Sequence, residues 1–111
     1  MLYKFKSKVS GDVIMLQPNG QHALGIIGKH SAAAPSTQGI LLPEQMPAAL
    51  AALASAITQE EAARREAIAL AQAQHLPLPR FESIGLRQRV LPLMEMIRQC
   101  HAAEEAITWG V

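Results

Sequence analysis

Four histidines, one cysteine and nine acidic residues are the side chains of this chain best suited to chemistry. The histidines are His22, His30, His75 and His101, and no two fall at the i,i+3 or i,i+4 spacing that places ligands on one helix face. Cys100 and His101 are neighbours, so on a helix they diverge by about 100°. A metal site would need assembly across loops, and surface histidines, with His101 at the edge of a packed face, are the plainer reading. A single cysteine excludes an internal disulfide and a cysteine-based zinc site. Nucleophilic catalysis needs a hydroxyl or thiol beside a base. Cys100 instead falls on an apolar stripe, where cysteine is packing. There is no glycine–serine elbow, and Asp12, Glu44 and Glu82 stand isolated. The reading is a protein with no catalytic residue, no metal and no cofactor.

The run Gly25-Ile26-Ile27-Gly28-Lys29-His30-Ser31 superficially suggests a phosphate loop. It places Ala23 where the loop needs glycine and His30 where it needs a magnesium-binding hydroxyl. A helix ending at Gly28 explains it better. Lys4, Lys6 and Lys8 form a basic row, and Arg87, Arg89 and Arg98 add charge farther on. They could bind an anion, but the net charge is only +1, and no aromatic residue falls on the lysine face to stack a base. Nucleic acid is therefore not expected, and lysines on a strand also discourage edge-to-edge aggregation.

Those residues need elements to hold them. Residues 1–8 alternate, with Met1, Tyr3 and Phe5 on one face and Lys4, Lys6 and Lys8 on the other, as in a strand wetted on one side. Residues 12–17 are open between a returning strand and a helical turn capped by Asp12. Pro18-Asn19-Gly20 signals a turn, and residues 20–29 a short helix. Residues 30–38, with Pro35, form a small-residue loop. Gly39-Ile40-Leu41-Leu42 is a short buried strand.

A long helix follows. Pro47 fits its first turn, and Met46, Leu50, Leu53 and Ile57 share one stripe. Beyond Thr58, Glu61 and Arg64 occupy that stripe, and Ile68 and Ala71 only partly restore it. Glu60–Arg64 and Glu61–Arg65 are i,i+4 pairs in the favourable order. One helix from Met46 to Gln74 would be about 44 Å long, against a globule about 30–35 Å across. It must project, break or pack on another chain; Thr58-Gln59-Glu60-Glu61 fits a capping box that permits a break. After the connector at 75–81, Ser83 is a plausible N-cap for a last helix from about Ile84 to Ala103. Its stripe is Leu86, Val90, Leu93, Ile97 and Cys100, with Pro92 kinking rather than ending it. A strand at 106–110 carries Trp109, so three of the four aromatics sit in the outer strands of the sequence, suggesting that these pair in one sheet.

The stretches Met1-Leu2-Tyr3-Lys4-Phe5-Lys6-Ser7-Lys8, Gly11-Asp12-Val13-Ile14-Met15-Leu16 and Ile26-Ile27-Gly28-Lys29 form a pattern with Met46-Pro47-Ala48-Ala49, Leu86-Arg87-Gln88-Arg89, Pro92-Leu93 and Trp109-Gly110. Over nearly its full length the chain resembles the domain of unknown function 1840 family of short proteobacterial proteins. The resemblance implies a bacterial, single-domain protein and assigns no catalytic or binding residue.

The expected fold is a single α+β domain, residues 1–111. It has a two- or three-stranded sheet joining residues 1–8, 39–42 and 106–110, with helices on one face. The alternating start and the absence of an apolar run near ~20 residues lead to the expectation of a cytoplasmic protein with no membrane span. The expected function is non-enzymatic interaction or regulation, with self-association or an unidentified protein partner through the long helix at Glu61, Arg64, Ile68 and Ala71. The alternative is a small-ligand or anion-binding module using Lys4, Lys6, Arg87, Arg89 and Arg98.

Overall fold

A computed structural model of the chain describes residues 2–29, 37–80 and 85–110. Met1, residues 30–36, which include His30 and Pro35, residues 81–84, which include Glu82, the N-cap candidate Ser83 and the expected helix start Ile84, and Val111 lie outside the described residues.

Alternation builds the first strand, β1 (Leu2–Lys6), whose Tyr3 and Phe5 are buried while Leu2, Lys4 and Lys6 are exposed. A turn tied by the Ser7 hydroxyl, which accepts from the Ser10 amide at 3.1 Å, returns the chain into β2 (Val13–Leu16). Residues 13–16 are thus a strand, not a helical turn, and the sheet gains a strand over the two or three expected. It has four, all antiparallel, in the order β2-β1-β4-β3, with β3 at Gly39–Leu41 and β4 at Ile107–Trp109. The first and last strands in chain order are therefore neighbours. Tyr3 pairs with Met15, Phe5 with Trp109 and Leu41 with Ile107, and all six side chains point into the core.

Three helices cover that inner face. In α1 (Gln17–Ile26), Pro18 and its neighbours form the first turn rather than the loop expected from Pro-Asn-Gly: a proline there loses no helical hydrogen bond. The helix ends as expected at Gly28, with φ +82°, and the Lys29 amide closes back on the Leu24 carbonyl at 2.7 Å. A short 3-10 turn (Pro43–Gln45) leads into α2 (Met46–Ala73), 28 residues without a break. Thr58 does not cap a new helix; its hydroxyl donates to the Ala54 carbonyl within the running one, at 3.1 Å.

The last helix, α3 (Leu86–Ala103), carries Pro92 on its exposed side and continues past it. Leu86, Val90, Leu93, Ile97 and Cys100 lie in one core cluster on both sides of the proline, joined by Met94 and Met96. Met46, Leu53 and Ile57 of α2 are buried in the same cluster, with Leu50 packed against it. The molecule measures 52 × 28 × 25 Å, its long dimension exceeding a globule of this mass, as the length of α2 requires. No helix among the described residues is long and apolar enough to cross a membrane.

Candidate functional site

The polar residues of α2 that interrupt its apolar stripe meet the start of α3. Gly85 precedes that helix and offers no side chain to cap it. Glu60 supplies the cap from the other helix: its Oε1 accepts from the Leu86 amide at 3.0 Å. A carboxylate there also meets the positive end of the helix dipole. The same oxygen lies 3.1 Å from Arg64 Nη2, and Oε2 lies 3.6 Å from Arg89 Nη2. The next residue of α2, Glu61, takes both donors of Arg87, Nε at 3.0 Å and Nη2 at 2.9 Å. This forked contact holds the Glu61 carboxyl below its ordinary value and raises Arg87 above its own. Arg89 reaches further, donating to Asn19 Oδ1 of α1 at 3.3 Å.

Three of the five basic residues considered for anion binding are thus engaged by carboxylates, Arg87, Arg89 and Lys4. Lys4 lies 3.7 Å from Asp12, while Lys6 and Arg98 are exposed. Lys4 and Lys6 stand on the outer face of the sheet and the arginines on a helix packed against its inner face, so the fold does not assemble them into one patch. Of the residues considered on the long helix, Glu61 pairs with Arg87 of α3 at the surface, Arg64 pairs with Glu60, Ile68 is half-buried and Ala71 is buried. The opposite stripe of α2 is exposed throughout: Ser55, Thr58, Ala62, Glu66, Ala69 and Ala73, with Arg65 beside Glu66. Leu70 on its flank, and Leu76 and Leu78 just beyond the helix, are exposed as well.

The surface depressions are shallow. One of about 370 Å³ is lined by Lys6, Ser7, Lys8, Glu105, Ala106 and Thr108; another of about 390 Å³ by Pro43, Glu44, His101 and Glu104. His101 is exposed rather than at a packed edge, and Cys100 is buried. Among the described residues no three His, Cys, Asp or Glu side chains come together as a metal site would require.

The larger surprise is the outer face of the sheet. Leu2, Ile14, Leu16, Ile40 and Leu42 are exposed there around Lys4 and Lys6. Read in sequence, Val13-Ile14-Met15-Leu16 shows no polar alternation, so its outward residues could not be told from its inward ones.

The fold and these surfaces define a small α+β protein with helices on one side of an antiparallel sheet and, opposite, a face of exposed apolar residues and lysines that no described element covers. The chain belongs to the family described as Domain of unknown function (DUF1840), whose model matches residues 1–109. No curated protein and no solved structure gives a match.

Proposed function

We propose that this protein is a non-enzymatic interaction protein that self-associates through the projecting half of α2. The observation that carries the reading is the stripe Thr58, Ala62, Glu66, Ala69 and Ala73, exposed on a helix whose other side is already latched to its own domain. Small residues there let a second helix approach closely. The stripe is also self-complementary. About a two-fold axis between Arg65 and Glu66, an antiparallel copy sets Arg65 against Glu66 and Ala62 against Ala69, in both directions at once. Leu70, Leu76 and Leu78 flank that contact and give it apolar area to bury. A reducing bacterial cytosol suits the lone buried Cys100 and the family resemblance.

Light scattering on the wild type, Arg65→Glu, Glu66→Arg and the double exchange tests this. The wild type is expected at dimer mass, each single reversal at monomer mass, and the double exchange restored. A wild type that is monomeric at all concentrations, or single variants that remain dimers, would overturn the reading.

A further inference from the structure

We infer that the open face of the sheet docks an acidic amphipathic helix of a partner protein. The observation is independent of the α2 stripe and lies on the other side of the molecule. Leu2, Ile14 and Leu16 are 58%, 56% and 63% exposed, although sheets bury their apolar faces against a second layer. Leu2 is directly opposite Leu16 in the ladder, and Ile14 is opposite Lys4. In the next row but one, Lys6, Thr108 and Ile40 run side by side across three strands. The face thus has two apolar islands, Leu2–Ile14–Leu16 and Ile40–Leu42, with Lys4 and Lys6 between them. Two acids stand at the rim: Asp12 lies 3.7 Å from Lys4, and Glu105 lines one depression together with Lys6 and Lys8.

Charge selects the occupant. A second copy laid face to face would put both pairs of lysines into one layer about 10 Å thick, where like charges repel. A membrane surface suits cations at the rim of an apolar patch, where they reach headgroups; here insertion of either island would carry the central lysines with it. A helix meets both demands. Its leucine-type stripe covers the islands, and acids bordering that stripe reach Lys4 and Lys6. The scale agrees: four strands at about 4.8 Å spacing span about 14 Å, and a helix is about 10–12 Å across.

The test uses the full chain and three probes: a labelled model helix of about five turns with a leucine stripe bordered by glutamates, the same helix with lysines, and phosphatidylglycerol vesicles. Fluorescence anisotropy is expected to show the glutamate helix binding at least about tenfold tighter than the lysine helix, with the preference weakened by salt. The Lys4→Glu/Lys6→Glu variant is expected to reverse the preference, and Leu2→Gln/Leu16→Gln to abolish binding. All these changes are on exposed positions, and circular dichroism checks that the variants fold. Amide shifts of the bound wild type should map to β1 and β2. Equal binding of the two helices, no binding of either, or binding to vesicles alone would overturn the inference. Arg65→Glu should bind the glutamate helix as the wild type does, so loss of self-association leaves this result readable.

Discussion

The indole of Trp109 lies across the backbone of Gly39, so close that a Cβ there would stand 2.5 Å from Trp109 Cζ2. The two residues are ladder partners, and Trp109 is also opposite Phe5, with ring centroids 5.8 Å apart. The missing side chain of β3 is what lets the largest side chain of β4 lie flat in the core. Gly39→Ala is therefore expected to destabilise the fold by about 1–3 kcal/mol through overpacking, although alanine ordinarily suits a strand better than glycine. Urea titration followed by tryptophan emission would measure it; a neutral or stabilising alanine would show that the ring can move aside.

Trp109 itself is 2% exposed, and its Nε1 has no protein hydrogen-bond partner. Truncation to alanine should cost about 3–5 kcal/mol. Phenylalanine keeps much of the ring and removes the orphaned N–H, so Trp109→Phe should cost less than about half of that. Thermal unfolding of the pair separates the ring's contribution from the donor's.

The latch between α2 and α3 should respond to acid. The Glu61 carboxyl is held below its ordinary 4.5 chiefly by its hydrogen bonds from Arg87. Since the folded value is depressed, the contact is present above the unfolded value and is lost as pH falls through the folded one, below 4.5. Protection of the amides at residues 60–64, taken relative to their intrinsic exchange rate at each pH, should fall across that window, and Glu61→Gln should lower it at neutral pH. A flat profile would mean that Glu60 alone secures the latch. Glu60→Ala should cost about 1–2 kcal/mol, because it removes the one side-chain cap that α3 has among the described residues.

Two helices end on non-glycine residues in the left-handed region, α2 at His75 with φ 56° and α3 at Glu104 with φ 55°. Each is followed by an amide closing back over the last turn, Leu76 to Ala71 and Glu105 to Cys100, both at 2.9 Å. Glycine adopts this conformation without the Cβ clash. Glu104→Gly and His75→Gly are each expected to stabilise by about 0.5–1 kcal/mol, measured by thermal melting. Loss of stability in either would show that the side chain contributes something beyond its backbone.

Where the sequence carried a period, it was readable. The lysine–aromatic alternation of β1 and the apolar stripe of α3 through Pro92 both translate directly into burial, because one face of each meets the core and the other water. β2 resisted because both of its faces are apolar. Pro18 resisted because proline opens helices as readily as it opens turns. The latch was half legible. The displacement of apolar residues by Glu61 and Arg64 marked the place, and Glu60–Arg64 forms as an i,i+4 pair. Glu61, however, turns to Arg87 on another helix, a partner that local spacing cannot reveal. The outer sheet face was read as lysines alone, since the leucines and isoleucines beside them come from strands whose register only the fold supplies.

The order β2-β1-β4-β3 has a consequence for biosynthesis. Among the described residues, β3 pairs only with β4, and β4 is what joins it to the β1–β2 hairpin. On the ribosome, hairpin and β3 remain separate pieces while α2 and α3 are being made, and the seam between them closes only when residues 107–109 emerge. Phe5 and Trp109 must then find each other across a loop of about a hundred residues. Before that moment the nascent chain displays strand edges with no neighbour, the condition under which strands pair with the wrong molecule. Lys4 and Lys6, in the strand that waits longest, give the unfinished hairpin a charge that keeps such edges apart.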